Sequence, residues 1–237
     1  MNRLCIETRG IGSWRSRLAS PDRHWKRCFS AFETAVSWEV ASRSNYGIPE
    51  PIARLFWASG YGDPVLIIAI AEHKVKLDGG NAASQSDVWA VLKTSSGMLS
   101  LTVEAKAKES FGDFTLERWL VAGKTEAAVV NRKARWNHIR SFLPQLSDFA
   151  KVRYQMLHRC AAAVIEADRL GFEQAAFIVQ AFESPLESFK DFEVFCEALK
   201  IPATKDCIST TTVNGIRLGV GWAHCRFATD ADIAAIA

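Results

Sequence analysis

Two acids and one amine in the middle of the chain have the residue types and the spacing for metal-assisted chemistry. Glu104 and Lys106 stand two apart in the run Leu99-Ser100-Leu101-Thr102-Val103-Glu104-Ala105-Lys106-Ala107. That run alternates apolar and polar residues, the pattern of a strand with one buried face. Leu99, Leu101, Val103, Ala105 and Ala107 fall on one side, and Ser100, Thr102, Glu104 and Lys106 on the other, so the acid and the amine point the same way. Asp87 lies in the preceding apolar run, Ser86 to Leu92, and Thr94-Ser95-Ser96-Gly97 between the runs reads as a hairpin turn. With the turn on Ser95 and Ser96, paired residue numbers sum to about 191, or about 192 for a three-residue loop, which sets Asp87 beside Glu104 or Ala105. Two carboxylates held so close repel unless a cation, a proton or the lysine neutralises them. A hard divalent cation, Mg2+ or Mn2+, suits two oxygen ligands and leaves room for water and a phosphate. The plain alternative is a salt-bridged pair on the outer face of a half-exposed strand.

Those residues carry a resemblance. Asp87, a hairpin and Glu104-Ala105-Lys106 resemble the active-site motif of the PD-(D/E)XK (restriction endonuclease-like) nuclease superfamily, with Ser86 in place of the proline before the acid. The resemblance implies a metal-dependent hydrolysis of phosphodiester bonds. Asp87 and Glu104 would hold the metal with the carbonyl of Ala105, and Lys106 would orient the water and face the charge developing on the phosphate. It also implies a further upstream carboxylate, for which Glu72 at the end of a buried run is the candidate. A helix after the hairpin would lend the site a polar residue. Gln155 is the first choice there and Arg159 the second, as a phosphate or carboxylate contact. More widely, the chain is similar to a family of bacterial proteins through Glu72 to Gly80, Ala83 to Asp87, Val103 to Lys106 with Phe111-Gly112, and Arg153 to Arg159. That likeness covers most of the chain and implies no activity of its own.

Other polar residues are weighed on spacing. Gln85 is two before Asp87 and shares its face in an extended strand, either touching substrate or simply ending a turn. Gln155 and Arg159 are four apart on one helical face, as are Tyr154 and His158. His158 lacks a metal-ligand partner at useful spacing and reads as a helix-edge histidine. Arg132, Lys133, Arg135 and Arg140 with Trp136 either follow a phosphate backbone, with Trp136 stacking on a base, or form a solvated basic helix.

The elements that must position these residues follow from periodicity. Ser20-Pro21-Asp22 starts a helix expected to run to about Val40, and Ile52 to Ser59 reads as a short helix. Val65 to Val75 is an expected strand, followed by the loop Asp78 to Asn81 and the hairpin. Ala127 to Phe142 and Arg153 to Leu170 are expected helices, Ala175 to Phe182 a strand, Ser188 to Leu199 an amphipathic helix and Ile216 to Ala223 a last strand. Phe111 to Leu120 gives no clear period. This order predicts an α/β fold, a mixed central sheet flanked by helices with a restriction endonuclease-like core. One domain over 1–237 is expected, its core about 20–227, with a basic segment at 1–19.

Composition narrows the classes. The chain has 237 residues and a net charge of only +3, but residues 115–159 hold nine Lys/Arg against three acids. The resemblance implies nucleic acid, DNA ahead of RNA, as the partner, with a homodimer or a protein partner as the other reading. No apolar run approaches the ~20 residues that span a bilayer, and no secretory leader is read. The six cysteines lack C-x-x-C spacing, so reduced thiols in a cytoplasmic protein are expected rather than zinc. No phosphate-binding Gly-rich loop, G-x-S-x-G elbow or H-E-x-x-H is present, which removes support for NTPase, α/β-hydrolase and zincin readings.

Overall fold

The computed structural model describes residues 10–18, 20–144 and 148–236. Cys5 and the first nine positions of the basic 1–19 segment lie outside the described residues. From there Gly12–Arg15 forms a short helix, α1, whose Trp14 is buried and donates Nε1–H to Glu39 at 2.8 Å.

The expected helix from Pro21 to Val40 is two helices, α2 (Pro21–His24) and α3 (Ser30–Ala41). The break has a local cause. Cys28 takes a left-handed backbone at φ 63°, and its N–H donates to Glu33 at 2.7 Å. The other oxygen of Glu33 accepts from the N–H of Ala228, 2.6 Å away, so this acid ties the start of α3 to the far end of the chain. Helix α4 (Glu50–Ala58) follows, begun by prolines at its cap and first turn.

Three antiparallel strands come next: β1 (Val65–Val75), β2 (Ser84–Thr94) and β3 (Gly97–Lys106). Thr94 pairs with Gly97, so the turn is the two residues Ser95 and Ser96, and Val88 pairs with Val103. The chain then crosses over through α5 (Leu116–Val121), α6 (Glu126–Ser141) and α7 (Tyr154–Leu170) to β4 (Gln174–Phe182), which lies parallel to β3. Helix α8 (Leu186–Ala198), β5 (Ile208–Val213), β6 (Ile216–Cys225) and α9 (Asp230–Ala234) complete the order. The result is a mixed α/β fold around a six-stranded sheet ordered β1-β2-β3-β4-β6-β5. Strand β5 was not expected. Its Ser209 and three consecutive threonines suit an edge strand, but their polarity hides the alternation that marks a buried one. Among the described residues no helix is long and apolar enough to cross a membrane.

Both sheet faces are covered. On one, Trp38, Ile52, Leu55 and Phe56 of α3 and α4 pack on Leu99, Leu101 and Val103. On the other, Met156, Cys160 and Ala163 of α7 and Phe192 and Phe195 of α8 pack with Phe177, Val179 and Trp222. This corrects the single buried face expected for β3, since Ser100, Thr102, Glu104 and Lys106 are buried as well. Helix α7 lies over that polar side, and its Arg159 carbonyl accepts from the Thr102 hydroxyl at 3.0 Å. Trp89 Nε1–H donates to the Ser100 hydroxyl at 3.0 Å, so the buried hydroxyls are satisfied.

At the β5–β6 edge the layers meet too closely for a side chain. A Cβ on Gly221 would lie 2.8 Å from Ile178 Cδ1 and 3.0 Å from Ile208 Cγ1. Gly221→Val is therefore expected to cost about 1–3 kcal/mol by overpacking. The check is a urea titration, in which the midpoint falls while the slope stays that of the wild type.

Candidate active site

Strand register lines up three carboxyl-bearing residues. Ala71 pairs with Val88 and His73 with Ser86, which sets Glu72 opposite Asp87. The β2–β3 pairing ends at Val88 with Val103, and one step further sets Asp87 opposite Glu104. Residues opposed across antiparallel strands share a face, so Glu72, Asp87 and Glu104 form one line across β1, β2 and β3. Glu72 sits at φ 56°. Among the described residues it alone takes a left-handed backbone inside a strand without being glycine, a strain that gathers at functional sites.

Glu104 is the most enclosed of the three, 2 % exposed. Its Oε1 accepts from Lys106 Nζ at 2.8 Å and from Gln155 Nε2 at 2.6 Å, and its Oε2 accepts from Arg159 Nε at 2.7 Å. Burial alone raises its carboxyl, but Lys106 and Arg159 outweigh that and hold it below the usual carboxylate range. Gln155 and Arg159 reach it because they are one helical turn apart at the start of α7, which crosses β3 here. Lys106, 4 % exposed, also has its ammonium 5.1 Å from the centroid of the Phe111 ring.

Asp87 is in the opposite state. Its Oδ2 accepts from the Ala105 N–H at 2.6 Å. Burial, then repulsion by Glu104 and Glu72, push its carboxyl well above the usual range, with Lys106 and Arg159 opposing only in part. Glu72 is also raised, first by burial, although Gln85 Nε2 donates to its Oε2 at 2.6 Å. Gln85 thus holds a carboxylate of the site. Fully ionised, the line carries three negative charges, faced by Lys106 and Arg159 and, at the Glu72 end, by Lys74.

Whether these residues suit a metal can be judged from their oxygens. Two carboxylate oxygens offer about four lone-pair sites. Glu104 uses three in the bonds above and retains one on Oε2. Asp87 uses one on Oδ2, and a divalent cation would relieve the repulsion that raises its carboxyl. Asp87 and Glu104 therefore fit a hard cation that keeps most of its waters. Glu72 is drawn aside by Gln85, and among the described residues no three His, Cys, Asp or Glu groups converge as a ready metal cage.

Sequence reading missed the link behind Arg159. Ser84 Oγ lies 2.8 Å from His158 Nδ1 and donates to the His158 carbonyl at 3.0 Å, and Arg159 Nη1 donates to Ser84 Oγ at 3.3 Å. Arg159 Nη1 also approaches His158 Nδ1 at 3.4 Å. Burial, then Arg159 and Arg135, push the imidazole well below its ordinary range, so it is neutral. The one signal for this link was the adjacency of His158 and Arg159 on a helix facing Ser84. The basic cluster divides. Arg135 turns inward, whereas Trp136 packs edge-on against Phe149 at 5.9 Å under Arg140, so base stacking on Trp136 is not what the geometry provides.

Residues 7–226 match the family described as Domain of unknown function (DUF6946), and the chain belongs to that family. No curated protein and no solved structure matches it.

Two substitutions separate the roles within the line. Glu104→Ala strands Lys106 and Arg159 without their counter-charge and is expected to cost about 3–5 kcal/mol, read by urea denaturation. Asp87→Asn keeps an acceptor for the Ala105 N–H and removes a repelled charge. Because the folded carboxyl ionises at higher pH than the unfolded one, its stabilising share is full below the ordinary carboxylate range and is lost as pH rises through the raised value. Asp87→Asn should therefore raise Tm at neutral pH, with the gain shrinking toward about pH 4. A lowered Tm at neutral pH contradicts this.

Proposed function

We propose that this chain is a Mg2+- or Mn2+-dependent nuclease with a PD-(D/E)XK, restriction endonuclease-like core, hydrolysing phosphodiester bonds in DNA, with RNA the second substrate class. The observation that carries the reading is the line Glu72–Asp87–Glu104 with Lys106 bonded at one end and, in the middle, an Asp87 crowded by burial and by both neighbouring acids. A merely structural ion pair has no need of the second and third carboxyl groups, which cost stability where they stand.

In this reading Asp87 and Glu104 hold the ion. A bound Mg2+ supplies a coordinated water of lowered pKa and offsets charge on the phosphate. Lys106 donates toward the attacking water and the phosphate oxygens from its place against Glu104. Arg159 and Gln155 keep Glu104 from rotating, and Gln85 does the same for Glu72. The water oxygen forms the new bond to phosphorus as the bond to the leaving sugar oxygen breaks. The proton released by the water balances the one the leaving oxygen takes up. A cytoplasmic setting belongs to the same proposal, and the free buried thiols of Cys160, Cys196 and Cys225 fit it.

A second reading has its own support. Glu104 already accepts from three side-chain donors within 2.8 Å, the condition of a carboxylate kept for structure. On that reading the fold binds nucleic acid or a protein partner, or forms a homodimer, without cutting.

Incubation with supercoiled plasmid, single-stranded DNA and RNA in Mg2+ or Mn2+ decides between them. Cleavage that stops in EDTA and falls about 10²–10³-fold in Asp87→Ala and Lys106→Ala is expected. Wild-type protein inert on every form with both ions overturns the nuclease and leaves the binding reading.

A further inference from the structure

Beside the carboxylate line lies a cleft of about 450 Å3, bounded by α6, Trp119 of α5, the first turns of α7 and the loop 79–83 between β1 and β2. We propose that this cleft is a phosphate subsite, in which Arg132 and Arg135 hold a backbone phosphate of a nucleic-acid strand that flanks the bond to be cut. The inference rests on the reading of the chain as a nucleic-acid-processing protein.

The charge balance of the cleft points to an anion. No Asp or Glu lines it. Arg135 is only 8 % exposed, and its Nη2 donates to the carbonyls of Gly80 and Ala82. Arg132 Nη1 donates to the carbonyl of Trp119. Neither arginine is ion-paired among the described residues. A guanidinium keeps its charge at any ordinary pH and has five N–H donors, so main-chain carbonyls satisfy its geometry without neutralising it. A charge at that depth lacks its counter-ion, and a phosphate supplies one in bidentate form. His158 also lines the cleft, as a neutral ring.

The walls are held in place. Gly79 sits at φ 75°, and a Cβ there would lie 2.1 Å from the Asn131 carbonyl oxygen and 2.5 Å from the Arg135 nitrogen. The loop therefore rests directly on α6, at the one point where only glycine fits.

The aromatic residues show what is read. Trp119 and Tyr154 lie flat on each other, with centroids 3.7 Å apart and planes 9° apart. Arg132 covers Trp119 at 5.0 Å, and His158 lies 4.9 Å from Tyr154. Their faces are spent within the protein and are not a platform for bases. Recognition is then by backbone charge, which carries no sequence information. The cleft also connects to the carboxylate line. His158 meets Ser84, Ser84 meets Arg159, and Arg159 meets Glu104. That relay of enclosed side chains ties the cleft to the carboxylate line, and on the reading of that line as a phosphodiester site the anion is a nucleic-acid phosphate rather than an acidic peptide.

The test is anisotropy of a fluorescein-labelled 15-mer of dT, and of dA, in EDTA across a NaCl series. Cleavage is silent there, so binding and catalysis are judged separately. Arg132→Ala should bind both oligomers several-fold more weakly and lower the salt slope by about one. Arg132→Gln, which can keep a bond to the Trp119 carbonyl but not the charge, should do the same with an unchanged circular-dichroism melt. Lys190→Ala, an exposed lysine on α8 outside the cleft, should match wild type. Wild-type affinity and slope in both Arg132 variants overturns the proposal, as does poly-glutamate binding as tightly as dT. Arg132-dependent binding by a protein that cuts nothing in either Mg2+ or Mn2+ upholds the subsite and overturns the nuclease.

Discussion

A carboxylate sealed between a sheet and a helix must be neutralised, and the way Glu104 meets that demand organises the middle of this chain. Its two oxygens take a lysine from its own strand and a glutamine and an arginine from α7. The polar side of β3 therefore has to lie under that helix. The alternation of residues 99 to 107 then separates two interiors, one apolar on α3 and α4 and one threaded by hydrogen bonds. Removing the acid would leave two cations without a partner, whereas replacing the whole cluster by well-packed apolar residues could be neutral for stability.

The neighbouring acids carry a cost of their own. Glu104 is held ionised by its partners, whereas Asp87 on the next strand is crowded by two like charges and by burial. Environments that push neighbouring titratable groups apart are a mark of working sites. Glu72, strained at φ 56° and tethered by Gln85, adds a second cost at the same place. A protein selected for stability alone would shed both, since natural chains carry such costs mainly where function requires them.

Much of this was legible in the sequence because period-2 alternation and a short turn determine register. From Ser95 and Ser96 the opposition of Asp87 to Glu104 follows by counting. The four-residue spacing of Gln155 and Arg159 placed both on one face, and their approach to the acid needed only the helix to cross β3. Burial of both faces of β3 was not legible, since a polar side that is satisfied from above looks like one facing water. The break at Cys28 depends on Glu33 and on Ala228, some two hundred residues further on. Gly79 could be read only as a loop residue, because its reason is the backbone of α6, which no local pattern reveals. Trp136 invited a stacking role by composition, yet its ring is taken by Phe149 and Arg140.

The central claim is that Asp87 and Glu104 together hold a divalent cation. Anomalous diffraction from crystals grown with Mn2+ tests it most directly. The account predicts a manganese peak bonded to carboxylate oxygens of both residues, with Lys106 still against Glu104. A well-diffracting crystal in saturating Mn2+ with no peak on that line, and Asp87 unmoved beside the Ala105 N–H, would contradict it.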